Sequence, residues 1–164
     1  MLGRLAFAGF AALALYACSP GAGAPKHPEN MKTAVSELIE SWAAAGENKD
    51  WDALADLYAD QSGFAWIERG AVQYKDHAEI LAGIEAAKAM DAKVSNKISN
   101  IVVTPLSSDA AAYYADYALS VASDSFSFSS EGVLSGVAVK SGEKWRFLQG
   151  AFSEKPRQEA GPSQ

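Results

Sequence analysis

The sequence is poor in the residues that build metal and redox centres, with one cysteine and two histidines among 164 residues. A lone cysteine cannot form a disulfide within the chain, and a zinc site needs several converging ligands. We find no glycine loop that cradles phosphate, no dinucleotide fingerprint and no nucleophile elbow. We therefore expect no metal and no cofactor.

Basic clusters are also missing, and the formal net charge is -6. A chain of this charge repels the phosphate backbone, so we expect no nucleic-acid partner.

Long hydrophobic runs are absent too. The longest charge-free apolar stretch, residues 5–17, follows the basic Arg4 and is shorter than the about 20 residues of a membrane-spanning helix. This pattern is typical of a secretory signal peptide, here residues 1–17. A buried helix of the domain is the alternative, but a segment rich in proline and glycine follows at once.

The segment from Leu15 to Cys18 resembles the lipobox of bacterial lipoprotein signals. The resemblance implies cleavage before Cys18 and attachment of lipid to its thiol, and several acyl chains give lasting membrane attachment. Ser19, rather than aspartate, follows the cysteine, which implies export to the outer membrane with the domain facing the periplasm. The membrane is then a partner through the lipid on Cys18.

Composition divides the remainder of the chain. Residues 18–30 are predicted to be the lipidated cysteine and a flexible linker, because the segment has prolines and glycines but no large apolar residue. Residues 155–164 lack periodicity and are predicted to be a disordered tail. One domain, residues 31–154, lies between them.

Three helices are predicted from apolar residues at helical spacing. The first runs from a cap at Asn30 to Gly46, the second follows a cap at Asp50, and the third occupies about residues 77–90 after a cap at Asp76. Alternating residues predict two short strands, at 64–69 and 71–74, and four long strands follow at 94–104, 110–121, 125–139 and 144–152. The fold class is therefore α+β, with three helices on one face of a strongly curved antiparallel sheet.

Two stretches resemble the SnoaL-like domains of the nuclear transport factor 2-like superfamily, which has a cystatin-like fold. Residues 50–60 are similar to that family's second helix and first strand, and residues 131–153 to its last hairpin. The resemblance implies a cone, open at one end, that contains a pocket. Some members are isomerases, cyclases, hydratases or epoxide hydrolases, and others only bind ligands or assemble as dimers.

Glu68 is the candidate catalytic residue. By resemblance, the base of the ketosteroid isomerase branch corresponds to Trp66, so isomerase-type proton transfer is not expected. Glu68 shares a strand face with Phe64 and Trp66, and a carboxylate between aromatic side chains has a raised pKa that suits general acid or base catalysis. The alternative is a carboxylate at the rim that meets solvent or Arg69.

The predicted ligand pocket has aromatic walls and two polar groups. In the fourth strand, Tyr113 and Tyr117 share the more apolar face, and in the last strand Phe147 and Gln149 share a face. The tyrosines either contact a ligand or pack in the core. Glu68 and Gln149 are predicted to be the polar contacts, and the walls are predicted to be Trp42, Tyr58, Phe64, Trp66, Tyr113, Tyr117 and Phe147.

Three functions fit this sequence. The first is a membrane-anchored lipoprotein that binds a small, mostly apolar ligand in the cone. The second is a SnoaL-like enzyme of isomerase, hydratase or hydrolase type that uses Glu68 as acid or base. The third is a homodimeric assembly module, in which the convex face of the sheet forms the contact and aromatic side chains fill the cone.

Overall fold

The computed structural model describes residues 28–156. The predicted signal peptide, Cys18 and the predicted tail from residue 157 onward lie outside the described residues. The helices are α1 (Pro28–Asn48), α2 (Trp51–Asp56) and α3 (His77–Ala89), and the strands are β1 (Ala65–Glu68), β2 (Ala71–Tyr74), β3 (Lys93–Pro105), β4 (Ala110–Ala122), β5 (Ser127–Ser141) and β6 (Lys144–Glu154). Among the described helices, none combines the length and the apolar character needed to cross a membrane.

Helix α1 is longer than predicted at both ends. It includes Pro28, whose fixed φ suits the first helical turn, so the predicted cap at Asn30 is wrong. Gly46 lies inside the helix, which ends where Lys49 adopts a φ of 57°. The Asp50 N–H donates to the Ala45 carbonyl (2.9 Å) in the pattern of a Schellman motif. A lysine therefore takes the left-handed position that was predicted for glycine.

The other two helix starts are confirmed. The Asp50 carboxylate accepts a hydrogen bond from the Ala53 N–H (3.1 Å) at the start of α2. The Asp76 carboxylate accepts one from the Glu79 N–H (2.9 Å) at the start of α3. Each side chain satisfies a backbone donor that has no partner inside its helix.

The six strands form one curved, unclosed sheet in the order β2-β1-β6-β5-β4-β3. The predicted α+β architecture is confirmed, and all neighbouring strands are antiparallel except β1 and β6, which run parallel. Alternation along β4 is also as predicted, because Tyr113, Ala115 and Tyr117 are buried while Tyr114 is exposed. Helix α1 packs across the face to which these residues belong.

Strand β6 departs from simple alternation. Its register against β5 shifts after Phe147, so that Leu148 is an extra residue between Phe147 and Gln149. A bulge of this kind moves the following side chains to the opposite faces of the strand. Gln149 is exposed and Gly150 is buried, so the prediction that Gln149 shares a face with Phe147 is wrong.

Candidate functional site

The aromatic residues predicted as pocket walls are all buried, and most of them pack against one another. The ring centroid of Trp66 lies 5.3 Å from that of Tyr58 and 5.8 Å from that of Phe147. The centroid of Tyr113 is 5.4 Å from that of Phe147, and Phe64 packs edge-on against Tyr58. These five side chains form an aromatic core and line neither of the two cavities described below.

The hydroxyl groups of this core have partners within the protein. The Trp42 indole N–H donates to the Tyr58 hydroxyl (2.9 Å), and the Tyr113 hydroxyl donates to the Gln149 carbonyl (3.0 Å). The Gln149 side-chain amide donates to the Gly63 carbonyl (3.1 Å). The two tyrosine hydroxyls and this amide are thus engaged in structural hydrogen bonds.

Glu68 and Tyr117, in contrast, line a cavity of about 350 Å³ that we call the acidic cavity. It lies where the ends of β1, β4 and β6 meet the start of β5. Its lining consists of Glu68, Arg69, Tyr117, Leu119, Phe128, Ser129, Ser130, Phe152 and Glu154. Sequence reasoning missed Phe152 and Glu154, because the bulge in β6 turns both of them inward.

The electrostatics of the acidic cavity are dominated by two carboxylates. Burial raises the pKa of Glu68, the charge of Arg69 and the indole of Trp66 lower it, and the nearby charge of Glu154 raises it further. Within residues 28–156, neither Glu68 nor Glu154 has a cationic partner within 4.0 Å. Glu68 therefore lies half-buried without a counter-charge in direct contact.

Tyr117 forms the inner wall of the acidic cavity. Its hydroxyl lies 2.9 Å from the Ser130 hydroxyl. Burial raises the pKa of Tyr117, and the charges of Glu154 and Glu68 add to this rise. The phenol therefore stays protonated and can act only as a neutral hydrogen-bonding group.

A second cavity, of about 360 Å³, lies between the helices and the ends of β3, β4 and β5. We call it the apolar chamber. Nearly all of its lining is hydrophobic, and Trp42 is the one predicted wall residue that lines it. The lining residues are Trp42, Gly46, Trp51, Leu54, Ala87, Met90, Ala92, Val94, Asn96, Leu119, Val121, Phe126 and Phe128.

Asn96 is the polar exception in the apolar chamber. The residue is only 7% exposed, and its side-chain oxygen Oδ1 has no hydrogen-bond partner among residues 28–156. Its backbone N–H donates to Glu47 Oε1 (2.7 Å), which holds this part of β3 against α1. Sequence reasoning missed Asn96, although its inward position between Val94 and Ile98 in β3 was a usable signal.

The two cavities are neighbours. Leu119 and Phe128 line both of them and form a shared wall. Phe128 is 45% exposed, and Met90 and Phe126 on the rim of the apolar chamber are also exposed. Apolar side chains thus surround the entrance to a mostly apolar space.

Metal-ligating residues are dispersed in the part of the chain that the structure describes. No group of three or more histidine, cysteine, aspartate or glutamate side chains lies close enough there to hold a metal ion. His77, half-buried at the start of α3, has its Nδ1 3.9 Å from Asp60 Oδ1. This single pair is an ordinary contact between two chain segments.

A curved, unclosed sheet with helices packed on one face and cavities beneath them defines an α+β domain of the cone-shaped, pocket-forming class. Residues 35–157 match the SnoaL-like domain. The chain belongs to this family. No curated protein sequence matches it.

Solved structures support the same fold. A nuclear transport factor 2-like superfamily protein from Salmonella enterica aligns with a TM-score of 0.69 at 14% identity, over 84% of this chain and 99% of that one. A candidate scytalone dehydratase from Novosphingobium aromaticivorans gives 0.69 at 12% identity, over 77% and 85%. A hexachlorocyclohexane dehydrochlorinase of type 2 gives 0.66 at 15% identity, over 80% and 90%.

Proposed function

We propose that this protein is an exported lipoprotein whose SnoaL-like domain binds a small, mostly apolar ligand in the apolar chamber. The observation that carries this proposal is the apolar chamber itself, in which the side chain of Asn96 is the polar exception; the buried Oδ1 of that side chain has no hydrogen-bond partner among residues 28–156. The volume of the chamber, about 360 Å³, lies at the lower end of the range for small-molecule pockets, about 300–1,000 Å³.

The chemistry of the chamber defines what it would accept. A buried acceptor without a partner costs about 1–3 kcal/mol. A ligand that brings one hydroxyl or N–H group to Asn96 would recover that free energy, and its apolar part would gain from contact with Trp42, Trp51 and Leu54. A purely polar ligand would lose its hydrogen bonds to water and would find almost no polar group in the chamber to replace them.

Native mass spectrometry of the full chain, purified from a cell extract without denaturation, tests this proposal. The wild type is expected to carry a small molecule, and Ala87→Phe is expected to remove it, because Ala87 lines the chamber. Ala86→Phe is the matched control, since Ala86 is the exposed neighbour on α3. A protein that is empty in the extract and also fails to bind added decan-1-ol would contradict the proposal.

Membrane attachment through Cys18 is part of the same proposal. Its support is the apolar run that ends at Cys18. The outer membrane, with the domain facing the periplasm, is the proposed location. The test is to fractionate cells that express the wild type or Cys18→Ser. The wild type should be in the membrane fraction with a mass increased by acyl chains, and the variant should lose both properties.

An enzymatic role is the second candidate, and the position of Glu68 favours it. A half-buried carboxylate with a raised pKa, facing a cavity, is suited to donate or accept a proton. A candidate dehydratase and a dehydrochlorinase share the fold. If a molecule recovered from the protein is turned over, Glu68→Gln should abolish turnover, while the variant still binds decan-1-ol. Turnover that persists in this variant would exclude the role.

A homodimer is the proposed assembly. Val102 and Tyr114 are paired neighbours on β3 and β4, and both are exposed on the outer face of the sheet. Sedimentation should give twice the protomer mass for the wild type and one protomer mass for Tyr114→Arg. A monomeric wild type would exclude this contact.

A further inference from the structure

We propose that the ligand is a cationic amphiphile, whose apolar part lies in the apolar chamber and whose ammonium group lies in the acidic cavity. This inference rests on the proposed function, because it assumes that the chamber holds an apolar ligand. It adds the chemical class of the ligand and a second binding site for its charged end.

The placement of the two cavities supports a ligand that spans both. Leu119 and Phe128 contribute to both linings, so the two cavities adjoin at these residues. Phe128 is 45% exposed and can change rotamer without disturbing the core. A flexible chain that passes Phe128 would therefore have one end in each cavity.

The charges of the acidic cavity favour a cation. Glu68 and Glu154 face it with Arg69 as the only basic side chain in its lining, which leaves one negative charge in excess when both carboxylates are ionised. Neither carboxylate is paired with a cation within residues 28–156. An ammonium group between them would supply the missing counter-charge.

Aromatic rings complete the recognition of a cation. Phe152 and Tyr117 pack in the same lining with their ring centroids 4.9 Å apart. The face of an aromatic ring attracts an ammonium group, and the attraction increases as water is excluded. Carboxylates combined with aromatic rings favour an organic ammonium over a small hydrated metal ion.

The buried Oδ1 of Asn96, a residue in the lining of the neighbouring chamber, is an acceptor without a partner among residues 28–156. The hydroxyl groups of Tyr117 and Ser130 already bond to each other. The linings of the two cavities thus offer an anionic ligand one basic side chain, Arg69, against two carboxylates.

Binding of three ten-carbon probes to the full chain tests the inference. Decylamine, decan-1-ol and decanoate share one alkyl chain and differ in charge. Trp42 and Trp51 line the chamber, so tryptophan fluorescence reports its occupation. We expect decylamine to bind about tenfold more tightly than decan-1-ol, a difference of about 1.4 kcal/mol, and decanoate to bind more weakly than both.

Two variants separate the carboxylates from general charge effects. Glu68→Gln combined with Glu154→Gln should reduce the affinity for decylamine to that for decan-1-ol and leave the alcohol unchanged. Glu40→Gln, a single change at an exposed position on α1, is the control and should preserve the preference. Decanoate binding as tightly as decylamine, or a preference that survives the double variant, would overturn the inference. If decan-1-ol also fails to bind, the proposed function itself is wrong.

Discussion

Replacing Asn96 by leucine is expected to stabilise the ligand-free protein and to weaken ligand binding. Leucine has nearly the same branched shape but lacks the oxygen that stands without a partner. The backbone N–H of residue 96 keeps its bond to Glu47, because that bond does not involve the substituted side chain. The variant therefore removes the side-chain amide, including a buried acceptor that has no partner among residues 28–156.

The magnitude follows from the burial of the group. Asn96 is 7% exposed, and an unsatisfied buried acceptor destabilises a protein by about 1–3 kcal/mol. In a domain of this size, 1 kcal/mol corresponds to about 3–5 °C in Tm. We expect Asn96→Leu to raise Tm by at least about 3 °C. Ligand affinity should fall by about tenfold when one hydrogen bond of about 1.4 kcal/mol is lost.

Thermal unfolding followed by circular dichroism, with and without decan-1-ol, measures both effects. Asn96→Asp is the matched control, since it keeps the shape but adds a buried charge, and its Tm should fall. A fall in Tm for Asn96→Leu would refute the reasoning. It would mean that Oδ1 is hydrogen-bonded in solution, for instance to ordered water, and does not await a ligand.

Three further changes have defined outcomes in thermal unfolding. Gly150→Val should lower stability by about 1–3 kcal/mol or more, because a Cβ atom at this position would lie 2.2 Å from the Trp66 ring. Glu68 has a pKa raised above its usual 4.5, so stability is lost as the pH rises through that raised pKa. Glu68→Gln should have the same Tm as the wild type at pH 4 and a higher Tm at pH 7. Equal Tm values at both pH values would contradict this reasoning. Hydrogen bonds from Lys144 and Arg146 lower the pKa of Asp56 from 3.8. The stability that ionised Asp56 contributes is therefore present above pH 3.8 and is lost as the pH falls below that value. Asp56→Asn should lower stability at pH 7 by less than about 1 kcal/mol, because the pair is exposed, and the difference should shrink as the pH falls below 3.8.

Two helix caps and the inner face of β4 were predicted correctly from the sequence. Asp50 and Asp76 cap helices because their short carboxylates reach backbone N–H groups two or three residues ahead. The alternation of Tyr113 and Tyr117 with exposed residues gave the inner face of β4 correctly. These features depend on near neighbours in the chain, which a single sequence contains.

The features that were missed depend on distant parts of the chain. The bulge at Leu148 arises from pairing with β5, and it exposes Gln149 and turns Phe152 inward. Gly150 was the available signal, since a glycine inside a strand often marks a bulge or a close approach. The division of aromatic residues between core and cavity depends on how tightly they pack together, and periodicity does not contain that information.

The parallel pairing of β1 with β6 also determines when the domain can be completed during synthesis. Strand β1 is made early, but its second neighbour is β6, the last strand among residues 28–156. Until Phe147 and Gly150 emerge, Trp66 can pack against Trp42 and Tyr58 but lacks its contacts with β6, and the first hairpin is a ribbon of two strands, which is marginally stable alone. The sheet is therefore completed only when β6 has been made, and an incomplete chain exposes the edge of β1 that β6 covers in the finished domain.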